Sequence, residues 1–308
     1  MNPEPTTAIT GHDVENVAQP PAAAADRGAG AASPFARAAT GILVAVIALV
    51  YAPVLAKLAG DWVHDPNYSH GILVPGIVLF LLWRKRREFA CIPRRPHWLG
   101  FAAVLGSMGL LVLGAAGAEV FTQRVSFVLL LFALVVYLLG WGWLRVTWFP
   151  LAFLFLAIPL PYVLYYSLTS PMQSFAAKCA VSGLQSIGVP VLAQGNILHL
   201  PGQTDLMVAE ACSGIRSLYS FLSLGALAAY SMPIPLLGRG LVFLATIPLS
   251  VAANAFRVWA TSLGVYLIGP QVAEGWIHES FGLIVFVAAL LLFLLIRKGA
   301  KRLWRSAS

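Results

Sequence analysis

Long apolar segments constrain the fold of this chain more than any other feature of its sequence. A helix of about 20 apolar residues is long enough to cross the hydrocarbon core of a bilayer. The segments lie near residues 39–57, 70–84, 98–117, 125–142, 146–161, 213–231, 238–261 and 280–297. A mean hydropathy of +0.81 and a charged fraction of 10% exclude an ordinary soluble domain. We therefore predict an all-α polytopic membrane protein with about eight transmembrane helices.

The basic residues predict which side of the membrane each connection faces. An even number of spans places both termini on one side, and Lys and Arg concentrate in cytoplasmic loops. Among the 20 basic residues, the exceptions to the terminal side are Lys57, Arg124, Lys178, Arg216 and Arg257. We therefore expect cytoplasmic termini, with the odd-numbered connections on the outer face.

The two ends of the chain differ in composition from the apolar middle. Residues 1–38 are rich in Ala, Pro and Gly without any apolar period, which predicts a disordered cytoplasmic tail. Residues 39–297 form the predicted membrane domain, and residues 298–308 form a basic cytoplasmic tail. The pI near 9.7 does not indicate nucleic-acid binding, because topology alone places basic residues beside apolar segments.

The outer connections carry most of the unusual polar residues, and the longest of them covers residues 162–212. Polar residues recur at helical spacing in one stripe, at Ser174, Lys178, Ser182 and Gln185, opposite Phe175, Cys179 and Leu184. This pattern predicts a small amphipathic helix on the outer face. The apolar runs around Gly195 and Asn196 predict a β-hairpin, followed by a third extended piece at 204–209.

Cys212 follows this hairpin and immediately precedes an apolar helix. Free amide donors and the positive end of the helix dipole favour a thiolate there, and the small neighbours leave room for a substrate. The alternative is an inert cysteine that packs as a small apolar residue. A disulfide with Cys179 on the same face is a further possibility, although it would silence the nucleophile.

A thiol nucleophile needs a base and a group that holds developing negative charge. Asn254 and Arg257 are three residues apart, so they share a helical face near the outer end of the seventh span. His278 opens the eighth span at the same predicted depth. An intramembrane arginine indicates function, although Arg257 could instead extend to the interface. Cys212, Arg257 and His278 together form a candidate acyl-transfer site.

Two further groups on the outer face are candidates for supporting roles. Tyr68 and His70 lie before the second span, where Ser69 is expected to cap the helix. His70 is an alternative base, and both residues are candidate substrate contacts. Glu210 and Arg216 flank Cys212 and are candidates for pairing with each other or for binding substrate, as is Asn254.

Four segments of the chain resemble the exosortase family, membrane-embedded cysteine enzymes that process proteins with a C-terminal PEP-CTERM sorting signal. The resemblance rests on EACSGIRSL (210–218), NAFRVW (254–259), HESFG (278–282) and WVHDPNYSHGILVP (62–75). It covers about residues 39–297, in the same order and with the expected sidedness. The N-terminal tail lies outside it.

The resemblance implies a bacterial inner-membrane protease or transpeptidase. The sequence contains no nucleotide-binding loop, haem motif or spaced zinc-ligand cluster, so we expect no cofactor. Its substrates would be membrane-tethered proteins with a Pro-Glu-Pro motif, a membrane helix and a basic tail, in a setting of exopolysaccharide export. Cys212 would be the nucleophile, His278 the proton-transfer partner, and Arg257 the group that stabilises the oxyanion or orients substrate. The active site would face the periplasm.

Other functions remain open on the sequence alone. Arg257, His278 and Glu210 could line the polar route of a transporter, although no inverted repeat is evident. The chain could also be a structural subunit of an export system with an inert Cys212, or an acyltransferase that uses histidine. An accessible, acidic thiol would distinguish the cysteine enzyme from these alternatives.

Overall fold

The computed structural model describes residues 34–200, 206–207 and 214–306. The predicted tail of residues 1–38 lies outside this part of the chain, except for its last five positions, which begin the first helix. The chain divides into two compact units, residues 1–50 and 51–308, and the sites discussed below belong to the second.

The described residues are mostly helical, with one small sheet. The helices are α1 (Pro34–His64), α2 (Leu73–Arg84), α3 (Arg86–Ala90), α4 (Trp98–Ala116), α5 (Val120–Leu138), α6 (Trp141–Phe153), α7 (Tyr162–Ser186), α8 (Ile215–Ser231), α9 (Leu236–Leu244), α10 (Thr246–Ile268) and α11 (Gly275–Ser306). Short 3₁₀ turns precede α2 at Ser69–Ile72 and follow α6 at Leu154–Ala157.

Fewer helices than predicted are long and apolar enough to cross a membrane, so the count of eight is not confirmed. In the part of the chain that the structure describes there are five such helices, or six if one bent pair forms a single span. The five are Gly41–His64, Trp98–Ala116, Val120–Leu138, Leu236–Ile268 and Gly275–Trp304.

Three predicted spans, at 70–84, 146–161 and 213–231, are not among these five, and helix α8 in the last of them has 17 residues. Helix α2 has 12 residues, about 18 Å of helix, which is much shorter than the roughly 30 Å hydrocarbon core. The fifth predicted span ends in a break, beyond which α7 is bent by 78° from the preceding helix. Apolar composition predicted both segments as membrane spans, but composition does not measure helix length.

The connection predicted at 162–212 contains a helix and the predicted hairpin, although the helix is longer than predicted. Helix α7 begins at Tyr162, twelve residues before Ser174, the first residue of the predicted polar stripe, and it buries Ala176, Ala177, Ala180 and Leu184. Phe175, which was assigned to the apolar face, is half exposed. The hairpin is confirmed: β1 (Leu192–Gln194) pairs antiparallel with β2 (Ile197–His199), which pairs antiparallel with β3 (Leu206–Met207).

Helix α10 packs against α7, α8, α9 and α11. One part of its surface packs with α7 and the sheet, through Ala255, Val258 and Val265. Helices α8, α9 and α11 share a second apolar cluster that includes Phe221, Val242 and Phe293. Because α8 and α11 both contact α10, the beginnings of these two helices are held against it.

Candidate active site

Arg257 and His278 lie in direct contact on neighbouring helices. Nη2 of Arg257, on α10, is 2.7 Å from Nε2 of His278, on the first turn of α11. His278 is 9% exposed. A guanidinium group can only donate hydrogen bonds, so this contact is a hydrogen bond only when Nε2 of His278 carries no proton.

A glycine on α11 makes room for the arginine. A Cβ atom on Gly282 would lie 2.8 Å from Cζ of Arg257, which is too close for an undisturbed contact. Gly282 follows His278 by four residues, so the two lie on the same face of α11. The HESFG segment therefore places the imidazole and the space for the guanidinium side by side.

Asn254 lies one turn before Arg257, beside the start of α8. A Cβ atom on Gly214 would be 2.7 Å from Cγ of Asn254. Gly214 has a φ of +78°, a left-handed conformation that glycine adopts without steric cost. Asn254 and Arg257 lie on one face of α10. Asn254 contacts Gly214, the residue before α8, and Arg257 contacts His278 on the first turn of α11.

The remaining predicted residues of this group are only partly described. Cys212 and Glu210 lie outside the described residues, so the predicted Cys212–Arg257–His278 site and the pairing of Glu210 with Arg216 stay predictions. Arg216 is exposed on the first turn of α8. Cys179, considered as a disulfide partner for Cys212, is a free thiol.

Tyr68 and His70 pack against α8, close to the same helix start. The ring of Tyr68 meets that of Tyr219 edge-on at 5.6 Å, and the ring of His70 stacks on it at 5.5 Å. Tyr68, Tyr219, Tyr165 and Ile215 are all buried in one cluster. The segment before α2 is therefore anchored to the first two turns of α8.

The hydrogen bonds of this segment differ from the predicted cap. The Ser69 hydroxyl donates to the Pro66 carbonyl at 3.1 Å, and no side chain caps the 3₁₀ turn, so Ser69 is not a helix cap. Nε2 of His70 donates to the Leu156 carbonyl at 3.1 Å. Because this bond ties the imidazole to the backbone, the ring is positioned as a packing group more than as a base.

The phenol of Tyr68 is held in its neutral form. Burial raises the pKa of Tyr68 to about 12, although a hydrogen bond with the Leu160 backbone acts in the opposite direction. A neutral phenol keeps its donor at every physiological pH. Tyr68 can therefore orient the neighbouring backbone but does not act as a base.

Sequence reasoning named Gly214 only as a small neighbour of Cys212, and it missed the roles of Tyr165, Tyr219 and Gly282 in this region. The spacing of His278 and Gly282 was a usable signal, since a small residue four positions from a functional side chain leaves room for its partner. The role of Tyr219 had no such signal, because its partner Tyr68 is distant in the chain and the contact depends on how the helices pack.

Chemically, the Arg257–His278 pair combines a fixed positive charge with a group that can take up a proton. A guanidinium stabilises negative charge that develops on a carbonyl oxygen, and an imidazole transfers protons near neutral pH. The junction of α10 and α11 therefore carries two groups of the kinds that acyl transfer uses.

The sequence comparisons identify a family for this chain. A sequence profile described as transmembrane exosortase matches residues 62–295, which is more than half of the chain. The match includes the segment before α2, the start of α8, Arg257 and His278. No curated protein and no solved structure matches the chain.

Proposed function

Because this chain belongs to the transmembrane exosortase family, we propose that it is a membrane-embedded cysteine protease or transpeptidase. Its substrates are exported proteins with a C-terminal PEP-CTERM-type signal, in which a Pro-Glu-Pro motif precedes a membrane helix and a basic tail. The observation that carries the proposal is the 2.7 Å contact between Nη2 of Arg257 and Nε2 of His278.

Cys212 is the proposed nucleophile. It precedes Gly214 by two residues, so the covalent chain alone keeps the α-carbon of Cys212 within about 7 Å of that of Gly214. Gly214 contacts Asn254, which lies one turn from Arg257 on α10. The positive end of the α8 dipole favours the thiolate form of a cysteine at this place.

The proposed reaction proceeds in two steps. His278 first takes the proton of the Cys212 thiol, the thiolate attacks the scissile carbonyl carbon, and Arg257 stabilises the negative charge that develops on the carbonyl oxygen. The C–N bond then breaks, the leaving amine takes a proton from His278, and a thioester remains. Water, or an acceptor amine or hydroxyl, attacks the thioester and returns the thiol.

The contact between Arg257 and His278 has a consequence for the order of events. In the hydrogen-bonded pair, the unprotonated nitrogen of His278 is occupied by the Arg257 guanidinium. His278 can accept the thiol proton at Nε2 only after this bond opens. A substrate carbonyl oxygen that draws the guanidinium toward itself would open it, which couples activation of the base to the presence of substrate.

The proposed site lies at the outer end of the helices, on the periplasmic side of the inner membrane, with both termini in the cytoplasm. A substrate tethered by its own membrane helix diffuses in two dimensions and presents its motif at a fixed depth. The distribution of basic residues supports this orientation.

The proposal is tested by expressing the chain with a test substrate that carries a Pro-Glu-Pro motif, a membrane helix and a basic tail. Wild type should yield a shortened product on a gel, and Cys212→Ala and Cys212→Ser should yield none at matched expression. Cys179→Ala, which removes a free thiol of α7, is the matched control and should process normally.

A trapped thioester between the substrate and Cys212 would establish the intermediate directly. Equal processing by wild type and both Cys212 variants would exclude the cysteine mechanism. The start of α8 would then be structural, and a transporter or a subunit of an export system would be the better interpretation.

A further inference from the structure

Arg216 is an exposed cation on the first turn of α8, beside the candidate active site. It follows Gly214 by two residues, and Gly214 contacts Asn254, which lies one turn from Arg257 on α10. The covalent chain alone keeps the α-carbons of Gly214 and Arg216 within about 7 Å of each other. Arg216 therefore lies at the edge of the site, separate from the Arg257–His278 pair.

The guanidinium of Arg216 has no counter-charge among the described residues. Neither of the two ion pairs that these residues form includes it, and the hydrogen bond with Ser220 uses the carbonyl oxygen of Arg216. The position is also unfavourable for a cation, because the N-terminal end of the helix dipole is positive. A carboxylate from another molecule would compensate this charge, and a guanidinium can donate two parallel hydrogen bonds to it.

The exposed residues of α8 form one narrow strip that begins at Arg216. The structure describes this helix in full, and its exposed residues are Arg216, Leu224 and Ser231. At about 100° per residue, these three positions lie within about 80° of each other around the helix. The other sides of α8 pack on α9, α10, α11 and Tyr68. Helix α8 is therefore open to the exterior along one line, with a positive charge at its first turn.

We propose that Arg216 binds the glutamate of the substrate's Pro-Glu-Pro motif and determines the specificity for an acidic residue at that place. This inference rests on the proposed function. The motif carries one carboxylate and directly precedes a membrane helix that runs from the outer face to the inner face, as α8 does in the proposed orientation. A substrate helix that lies along the exposed strip of α8 therefore brings the glutamate level with Arg216.

The dimensions allow one substrate to contact both arginines. An extended chain advances about 3.3 Å per residue, so a glutamate within three residues of the scissile carbonyl lies within about 10 Å of it. Arg216 and Arg257 belong to two helices that contact each other where Gly214 meets Asn254. Arg257 can therefore contact the carbonyl oxygen while Arg216 contacts the carboxylate, and the two contacts together fix the register of the motif in the site.

The test places the full chain and a test substrate in proteoliposomes and measures initial processing rates at increasing ratios of substrate to lipid. Two substrates are compared, with a Pro-Glu-Pro or a Pro-Gln-Pro motif. Wild type should process the glutamate substrate with an apparent KM about fivefold lower, the size expected of one exposed charge pair, and with a similar kcat. Arg216→Gln should show no preference, whereas Lys178→Gln, which removes an exposed cation of α7, should keep it.

A charge reversal tests the contact in a protein that must be folded to respond. Arg216→Glu should process a Pro-Lys-Pro substrate about fivefold better than a Pro-Glu-Pro substrate, which is the opposite of the wild-type preference. Because an exposed charge pair is screened by salt, the preference of wild type for glutamate should also decrease when the ionic strength rises from about 0.01 M to about 1 M.

Three outcomes would overturn the inference, and they separate it from the proposed function. Equal processing of the glutamate and glutamine substrates by wild type would leave the proposed function in place and remove the role of Arg216. An equal loss on both substrates in Arg216→Gln would show that Arg216 acts on the site itself, through Cys212 or Glu210. Processing of neither substrate by wild type would contradict the proposed function, and the inference with it.

Discussion

Two arginines lie within the helical bundle, and they contact acceptors of different kinds. Arg124 donates to the carboxylate of Asp61, whereas Arg257 contacts the imidazole of His278. An arginine paired with a carboxylate is electrically balanced, and removal of either partner leaves an uncompensated charge. An imidazole acceptor is uncharged, so the arginine can exchange it for another oxygen or nitrogen at a smaller cost.

The comparison suggests that residue type alone does not mark a catalytic arginine in a membrane protein. Both residues are intramembrane charges, which are functional candidates by default. The identity of the partner separates a structural arginine from one that can turn toward a substrate. The following predictions test this distinction, in order of decreasing effect.

Substitution of Arg257 should have the largest effect and should act on catalysis. Arg257→Gln is expected to lower processing of the test substrate by about 10²–10³-fold, the usual loss when an oxyanion-stabilising donor is removed, with little change in stability. Arg239→Gln is the matched control, since Arg239 is a partly buried arginine whose Nε donates to a backbone carbonyl of Ile234. Equal processing by the two variants would place Arg257 with the structural arginines.

Removal of the carboxylate beside Arg124 should act on stability instead. Asp61→Asn leaves a buried guanidinium without its counter-charge, and because Asp61 is 37% exposed, we expect a loss of about 2 kcal/mol, less than for a fully buried pair. The measurement is the unfolding free energy in detergent. Glu88→Gln, which breaks the exposed pair with Lys85, should change stability by less than about 0.5 kcal/mol. Similar losses in both variants would contradict the prediction.

A change at Gly282 should move Arg257 without removing it. The Cβ atom of Gly282→Ala would meet the guanidinium at 2.8 Å, so the side chain must shift away from His278. We expect about tenfold slower processing with little loss of stability. Gly299→Ala, on the same helix with no atom within 4 Å of the added Cβ, should process normally and gain about 0.5–1 kcal/mol. Normal processing by Gly282→Ala would show that the contact does not need its present geometry.

Tyr68 is a buried neutral side chain, so its substitution shows the effect of losing a hydrogen bond without losing a charge. Tyr68→Phe removes one neutral hydrogen bond and should cost about 1 kcal/mol. The unfolded phenol ionises near its ordinary pKa of 10.0, while the folded one ionises near a pKa of about 12. Wild-type stability should therefore fall as the pH rises from about 10 to about 12, and Tyr68→Phe should lose less stability over that interval. An identical alkaline decline in both proteins would show that Tyr68 is not the group responsible.

The sequence predicted local features of the fold well. The apolar segments became helices, the Gly195-Asn196 turn became a hairpin, and the polar period after Pro171 lies on a helix. These features depend on short-range periodicity and turn chemistry, which single segments contain in full. The number of spans could not be read from apolar composition. Composition does not show that α2 has only 12 residues, or that the chain bends by 78° between α6 and α7.

The site was predicted in its residue types and only partly in its contacts. Arg257 and His278 were placed at one depth, and the structure brings them together. Ser69 was wrongly expected to be a cap, because its hydroxyl has a nearer acceptor in Pro66. Tyr219 was not anticipated, since its contacts with Tyr68 and His70 join segments that are far apart in the chain.

The sequence by itself determined that this chain is a helical membrane protein of the exosortase family. Only the tertiary structure decided that Arg257 meets an imidazole while Arg124 meets a carboxylate. A sequence specifies which residues share a helix face, because the helical period is fixed. It does not specify how neighbouring helices rotate and slide against each other, and that packing decides which partner each charge receives.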